Sequence, residues 1–290
     1  MPLIQNCKIQ NGKTLATSIN NATGENLIFI CGCGHSGTTL LWAMLSGHPD
    51  IYGINYETEI FLNSCRNNRH SLSPARKIIV NSAYNLLSGK YKRKFCRLER
   101  EGYFTFTRSK NSISLFFEKQ MLEAHKENRH FICEKTPRHV LRIDRIRDLY
   151  PGSKIIVIVR NGLDVTASLK ERRGNFRNAM ERWVNDNFIM LEFRNRYDFH
   201  IVRYEDLITS PREELEKICR YCRIPMHESM LQHDKIADSK QWELELRRNQ
   251  VHRPLTDRRG RWKDNLDSHE VEQFRVYAGE MMKKLDYKLD

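Results

Sequence analysis

Leu27-Ile28-Phe29-Ile30-Cys31-Gly32-Cys33-Gly34-His35-Ser36-Gly37-Thr38-Thr39, followed by Leu40-Leu41-Trp42-Ala43-Met44-Leu45, is the stretch that decides the fold. Its apolar run predicts a buried strand, its glycines a tight loop, and its second apolar stretch an amphipathic helix. Strand, glycine loop and helix in that order form an anion cradle, because backbone N–H groups and the helix dipole both face the ligand. The spacing fits the phosphate-loop template G-x-x-x-x-G-K-[ST], with Thr38 standing where the lysine belongs. That lysine neutralises the β- and γ-phosphates of a nucleoside triphosphate, so its loss argues against ATP or GTP hydrolysis. A loop of this kind still grips a 5′-terminal diphosphate-like group, and a phosphosulfate is one.

Outward from the loop, four more short apolar runs read as buried parallel strands: Ile51–Ile54, Phe131–Cys133, Ile155–Val159 and His200–Arg203. Helical patterns lie between and after them at Leu163–Arg172, Ala179–Asn195 and Arg212–Tyr221, the last opened by Ser210 as cap and Pro211 in the first turn. Alternating strands and helices predict an α/β protein with a P-loop-type, doubly wound parallel sheet flanked by helices, its ligand beyond the carboxyl ends of the strands. A polar lead-in over 1–26 precedes a single domain over 27–290. Within it, 61–130 reads as a basic helical insertion, with Lys90–Lys94 its densest charge run, and 240–265 as a C-terminal lid.

The chain has 290 residues and a net charge of +13, from 49 basic and 36 acidic side chains. Such a field suits polyanions or nucleic acid, but no nucleic-acid signature accompanies it. A non-catalytic polyanion or nucleic-acid binding module is the alternative from another class, and a P-loop kinase with an altered loop is a third reading. No apolar run approaches the ~20 residues of a membrane span. No secretory leader is visible, so a cytoplasmic location is expected, or the Golgi lumen if an N-terminal anchor has been removed. The eight cysteines, at 7, 31, 33, 65, 96, 133, 219 and 222, read as structural thiols rather than metal ligands. No metal is expected.

Four stretches in order resemble one family, the sulfotransferases that use 3′-phosphoadenosine-5′-phosphosulfate (PAPS). Gly34-His35-Ser36-Gly37-Thr38-Thr39 resembles their 5′-phosphosulfate loop. Arg160 closing a strand, with Ser168 in the next helix, resembles their 3′-phosphate site. Val202-Arg203-Tyr204-Glu205-Asp206-Leu207 resembles the strand bearing the adenosine-side tyrosine, and Gly260-Arg261-Trp262-Lys263 the G-x-W-K lid motif. The resemblance covers about 27–265 and implies sulfuryl transfer from PAPS to a hydroxyl. The acceptor is a carbohydrate, glycolipid, small alcohol or phenol, with peptide tyrosine as the alternative. Arginine suits bidentate phosphate binding. Ser168 and Arg172, four apart on one helix face, could converge with Arg160 on one phosphate.

Order and spacing are closest to tyrosylprotein sulfotransferases and bacterial enzymes sharing their core. That match makes Glu57, in Tyr56-Glu57-Thr58, the base and Lys135, in Glu134-Lys135-Thr136-Pro137, the cation for the transferring group. Read from the residues alone, Glu57 could instead cap a helix starting near Thr58, Lys135 could be a surface residue before a proline turn, and Arg160 a surface arginine capping its strand. Glu134 should point away from Lys135 if the segment is extended. His139 lies too far along to align as a base. Three positions depart from the family. His35 replaces the loop's usual lysine or arginine, so either it or Lys135 stabilises the leaving group. Leu255-Thr256-Asp257 replaces a basic triplet, for which Arg258 and Arg259 are the possible substitutes. Glu59 stands where the tyrosylprotein enzymes carry a substrate-binding arginine, which weighs against acidic peptides.

Overall fold

A computed structural model describes residues 23–62, 110–232, 234 and 256–288. Five strands, β1 (Leu27–Gly32), β2 (Ile51–Gly53), β3 (Phe131–Lys135), β4 (Lys154–Val159) and β5 (His200–Arg203), form one sheet in the order β2-β3-β1-β4-β5. Every pairing is parallel. All five strands expected from the sequence are present.

Alternation along each strand divides the core into two layers. Leu27, Phe29 and Cys31 of β1 and Ile155, Val157 and Val159 of β4 face one layer. There they meet α2 (Lys110–Lys126), α4 (Gly162–Arg173), α5 (Phe176–Arg194) and α9 (Ser268–Lys284). Ile28, Ile30, Ile156 and Ile158 face the other, against α1 (Thr38–Ser46), α6 (Tyr204–Thr209) and α7 (Pro211–Cys222). A short α3 (Ile143–Leu149) precedes β4, and 3-10 turns occupy Pro137–Arg142 and Glu228–Gln232.

Of the 61–130 block, residues 61–62 and 110–130 are described. Its helix α2 is the crossover into β3, and Phe117 packs edge-to-face on Phe29 at 5.6 Å, as Phe61 does at 5.4 Å. Residues 63–109, including the Lys90–Lys94 run, lie outside the described residues. So do 1–22 of the lead-in and most of the 240–265 lid. Ser210 occupies the cap position of α7, but its side chain makes no capping hydrogen bond; Pro211 alone marks the start. Cys31, Cys33, Cys133, Cys219 and Cys222 are buried free thiols. Burial pushes the thiol of Cys219 up to about 11 and that of Cys222 to about 12. Cys7, Cys65 and Cys96 lie outside the described residues.

Candidate active site

The loop between β1 and α1 sits at the carboxyl edge of the sheet, with β3 on one side and β4 on the other. Two glycines are required for its path. At Gly32, with φ 147°, a Cβ would stand 2.3 Å from the Ile158 carbonyl oxygen, and at Gly37, with φ 101°, 2.6 Å from the Tyr204 ring. Gly37 caps α1 without any side chain, so the first-turn N–H groups of Thr38 and Thr39 face the loop. His35 itself takes a left-handed backbone, φ 71°. Ser36 Oγ is buried with no hydrogen-bond partner among the described residues, and so is Arg160 Nε. Buried polar atoms are normally satisfied. Two orphans at one loop therefore fit a ligand rich in acceptor oxygens.

His35 is the hub on the β4 side. Its Nδ1 lies 2.7 Å from Ser168 Oγ, and its carbonyl accepts from Arg160 Nη1 at 3.3 Å. Arg160 is buried, which removes the surface-cap reading, and stacks on the Tyr204 ring at 4.3 Å. Its Nη2 donates to the Arg258 carbonyl at 2.5 Å. Arg160, Ser168 and Tyr204 thus gather at the loop. Arg172 is exposed, one turn beyond Ser168. Arg259 is turned outward, held by Asp257 at 2.7 Å and Thr209 Oγ1 at 2.8 Å, so of the two candidate substitutes only Arg258 meets Arg160, through its carbonyl.

The lid motif is tied down by a residue that sequence reasoning passed over. Asp164, buried in the first turn of α4, accepts the N–H of Gly260 at 3.0 Å and of Trp262 at 3.2 Å, and its Oδ2 lies 3.7 Å from Arg160 Nη2. Trp262 opens the short helix α8 (Trp262–Asn265) and packs on the core, while Lys263 is exposed. An acidic residue in the first turn right after Arg160 was the available signal; ordinary dipole complementarity masked it.

On the β3 side, Lys135 Nζ donates to Glu57 Oε1 at 2.9 Å, with Lys135 2% and Glu57 25% exposed. Lys135 is not a surface residue, and no helix begins at Thr58. Glu134 does point the other way, and it has a task there. Its carboxylate accepts from Thr58 Oγ1 at 2.8 Å, Thr136 Oγ1 at 2.6 Å and His139 Nδ1 at 3.0 Å. Thr136 Oγ1 also accepts the Glu59 N–H at 3.3 Å. The network fastens segment 57–59, which carries Glu57, to the end of β3, which carries Lys135.

Burial alone would raise the Glu134 carboxyl. The charge and hydrogen bond of His139, with the two threonine hydroxyls, outweigh burial and hold it below the usual range. A depressed carboxyl contributes stability that is full above its unfolded value and is lost as pH falls through its folded value. Glu134→Gln should therefore cost about 1.5–3 kcal/mol at neutral pH, the size of hydrogen bonds made to a charged group. In urea unfolding, the gap between the two proteins should close as pH drops below the carboxylate range. A gap independent of pH would contradict the charged network.

A family model described as the sulfotransferase family matches residues 27–228. The protein-tyrosine sulfotransferase of Drosophila melanogaster is 25% identical over 223 residues, covering 73% of this chain and 41% of that protein. Protein-tyrosine sulfotransferase A of Caenorhabditis elegans is 26% identical over 235 residues, covering 76% and 57%. The chain spans about half the length of these curated relatives. Among solved structures, the sulfotransferase domain of the Synechococcus PCC 7002 olefin synthase is similar with a TM-score of 0.57 at 18% identity, covering 92% of this chain and 97% of that one. Mouse sulfotransferase SULT7A1, complexed with PAP, is similar with a TM-score of 0.52 at 16% identity, covering 94% and 90%. These likenesses show the fold, and the family model extends from β1 through α7 to the start of the Glu228–Gln232 turn. The chain belongs to the sulfotransferase family.

Proposed function

We propose that the chain transfers a sulfuryl group from PAPS to a hydroxyl of a carbohydrate or small-molecule acceptor. The observation that carries this reading is the Lys135–Glu57 pair beside a loop whose Ser36 hydroxyl and Arg160 Nε are buried and unsatisfied. Bound PAPS would supply an activated sulfuryl group on a bisphosphate leaving group. The loop N–H groups and Ser36 would hold the phosphosulfate, Arg160 and Ser168 the 3′-phosphate, and Tyr204 the adenosine side. Glu57 would take the acceptor hydroxyl proton, while Lys135 neutralises charge on the transferring oxygens. His35 or Lys135 would stabilise the departing oxygen. Positioning and fixed charge do most of the work in such a displacement. A cytoplasmic location goes with this reading; among the described residues no helix is long and apolar enough to cross a membrane.

The names of the curated relatives favour a second acceptor, peptide tyrosine. Glu59, half-buried two residues after the base, weighs against acidic peptides. Incubation with radiolabelled PAPS and, separately, an oligosaccharide, a simple phenol and a tyrosine peptide tests the reading. Label is expected in the oligosaccharide or the phenol. Label confined to the peptide would replace the acceptor class, and label in none would count against the activity.

His35 yields a pH prediction. An unperturbed imidazole titrates near 6.5, whereas lysine or arginine stays charged. If His35 acts as imidazolium, turnover falls as pH rises through its value in the complex. His35→Lys and His35→Arg should then flatten that alkaline limb and keep activity, the left-handed backbone straining all three alike. A limb unchanged by either substitution would leave the leaving-group role to Lys135.

A further inference from the structure

The loop lacks a lysine at 38, and its one titratable cation, His35, is turned toward Ser168. A permanent charge reaches it from α5 instead. The Arg182 guanidinium lies on Gly34, where a Cβ would stand 2.9 Å from Nη2, 3.4 Å from Cζ and 3.8 Å from Nη1. Any side chain at 34 would drive it off. One turn along α5, Asp186 accepts from the inner edge of the guanidinium, Nε to Oδ2 3.4 Å. Among the described residues Nη1 and Nη2 have no hydrogen-bond partner, and Arg182 is 19% exposed. Its outer edge is therefore fixed at the rim of the loop and available there.

The surroundings show which part of a ligand it meets. Arg160, Ser168, Tyr204 and the 258–262 segment approach the loop from the β4 side. Helix α5 packs on α4 and bonds the Arg160 carbonyl through Trp183, while Asp186, one turn past Arg182, faces the loop and the 3-10 turn that follows β3. Arg138, in that turn, acts electrostatically on Asp186, which also bonds the Cys33 thiol. Burial pushes the Asp186 carboxyl up, and the two arginines pull it back. Two guanidinium charges thus act on one buried carboxyl group, which leaves positive charge beside the loop.

We infer that Arg182 is a further anion-binding residue of the site, one that holds the sulfuryl end of the donor rather than its nucleotide end. This rests on the PAPS reading above. A guanidinium held along its inner edge presents two parallel donors to a tetrahedral anion, a geometry that lysine lacks.

Calorimetry without acceptor separates the two ends, because adenosine 3′,5′-bisphosphate is the donor minus its sulfuryl group. Arg182→Gln should weaken PAPS about 10- to 100-fold, the scale of one charged hydrogen bond, and change the bisphosphate by less than about threefold. Arg182→Lys should recover part of the loss. Asp186→Asn, which frees the inner edge and keeps the guanidinium, should weaken PAPS selectively but less; these two variants carry the test if Arg182→Gln does not fold. Equal weakening of both nucleotides, or no change in either, overturns the role of Arg182 alone. An unmutated protein that binds neither nucleotide overturns the PAPS reading, and this inference with it.

Discussion

Glu57→Gln is expected to lower turnover about 10²–10⁴-fold while leaving binding of adenosine 3′,5′-bisphosphate unchanged, the range lost with a general base. The substitution keeps shape and an acceptor oxygen for Lys135, which now lies 2.9 Å from the carboxylate, and removes only the capacity to take a proton. Lys135→Met, similar in volume at a position 2% exposed, should cut turnover about 10²–10³-fold by removing a fixed charge from the transferring oxygens. Because the two side chains are paired, their effects should not add: the double variant should be little worse than the poorer single one. Steady-state rates of the four proteins, with melting temperatures to exclude unfolding, check this. Near-normal turnover in Glu57→Gln would move the base to another residue. Strict additivity would mean that the two side chains act independently rather than as a coupled pair.

What the sequence revealed was local. β1, its glycine loop and α1 are contiguous, and β4, apolar from Ile155 to Val159 and ending at Arg160, is flanked by turns, so pattern and position sufficed. Lys135 and Glu57 came from the resemblance to the tyrosylprotein enzymes. Their contact did not, because it joins residues 78 apart in the chain. The Glu134 network was equally out of reach. Alternation gave its direction, and Thr136 and His139 lie close by in the chain, but Thr58, 76 residues away, joins them only when β2 and β3 pair. Asp164 looked like an ordinary first-turn acid, and its two lid N–H partners lie 96 and 98 residues on. The helical pattern of 61–130 is seen over Lys110–Lys126, where the apolar positions Ile113, Phe117, Met121 and Ala124 seat α2 on the sheet.

Arg160 carries the second large effect. Its guanidinium is already arranged by the Tyr204 ring at 4.3 Å, the Arg258 carbonyl at 2.5 Å and the His35 carbonyl at 3.3 Å, with Nε unsatisfied. A preorganised, buried cation of this kind reads a phosphate strongly, and truncating one partner of such a contact costs roughly 2–5 kcal/mol. Arg160→Ala should therefore erase most of the preference for a nucleotide with a 3′-phosphate over one without. The most direct measurement is calorimetric titration of the unmutated protein with adenosine 3′,5′-bisphosphate and with adenosine 5′-phosphate. Tighter binding of the bisphosphate by about 30-fold or more is the expected result. Equal affinity for the two nucleotides would contradict a PAPS-dependent sulfotransferase.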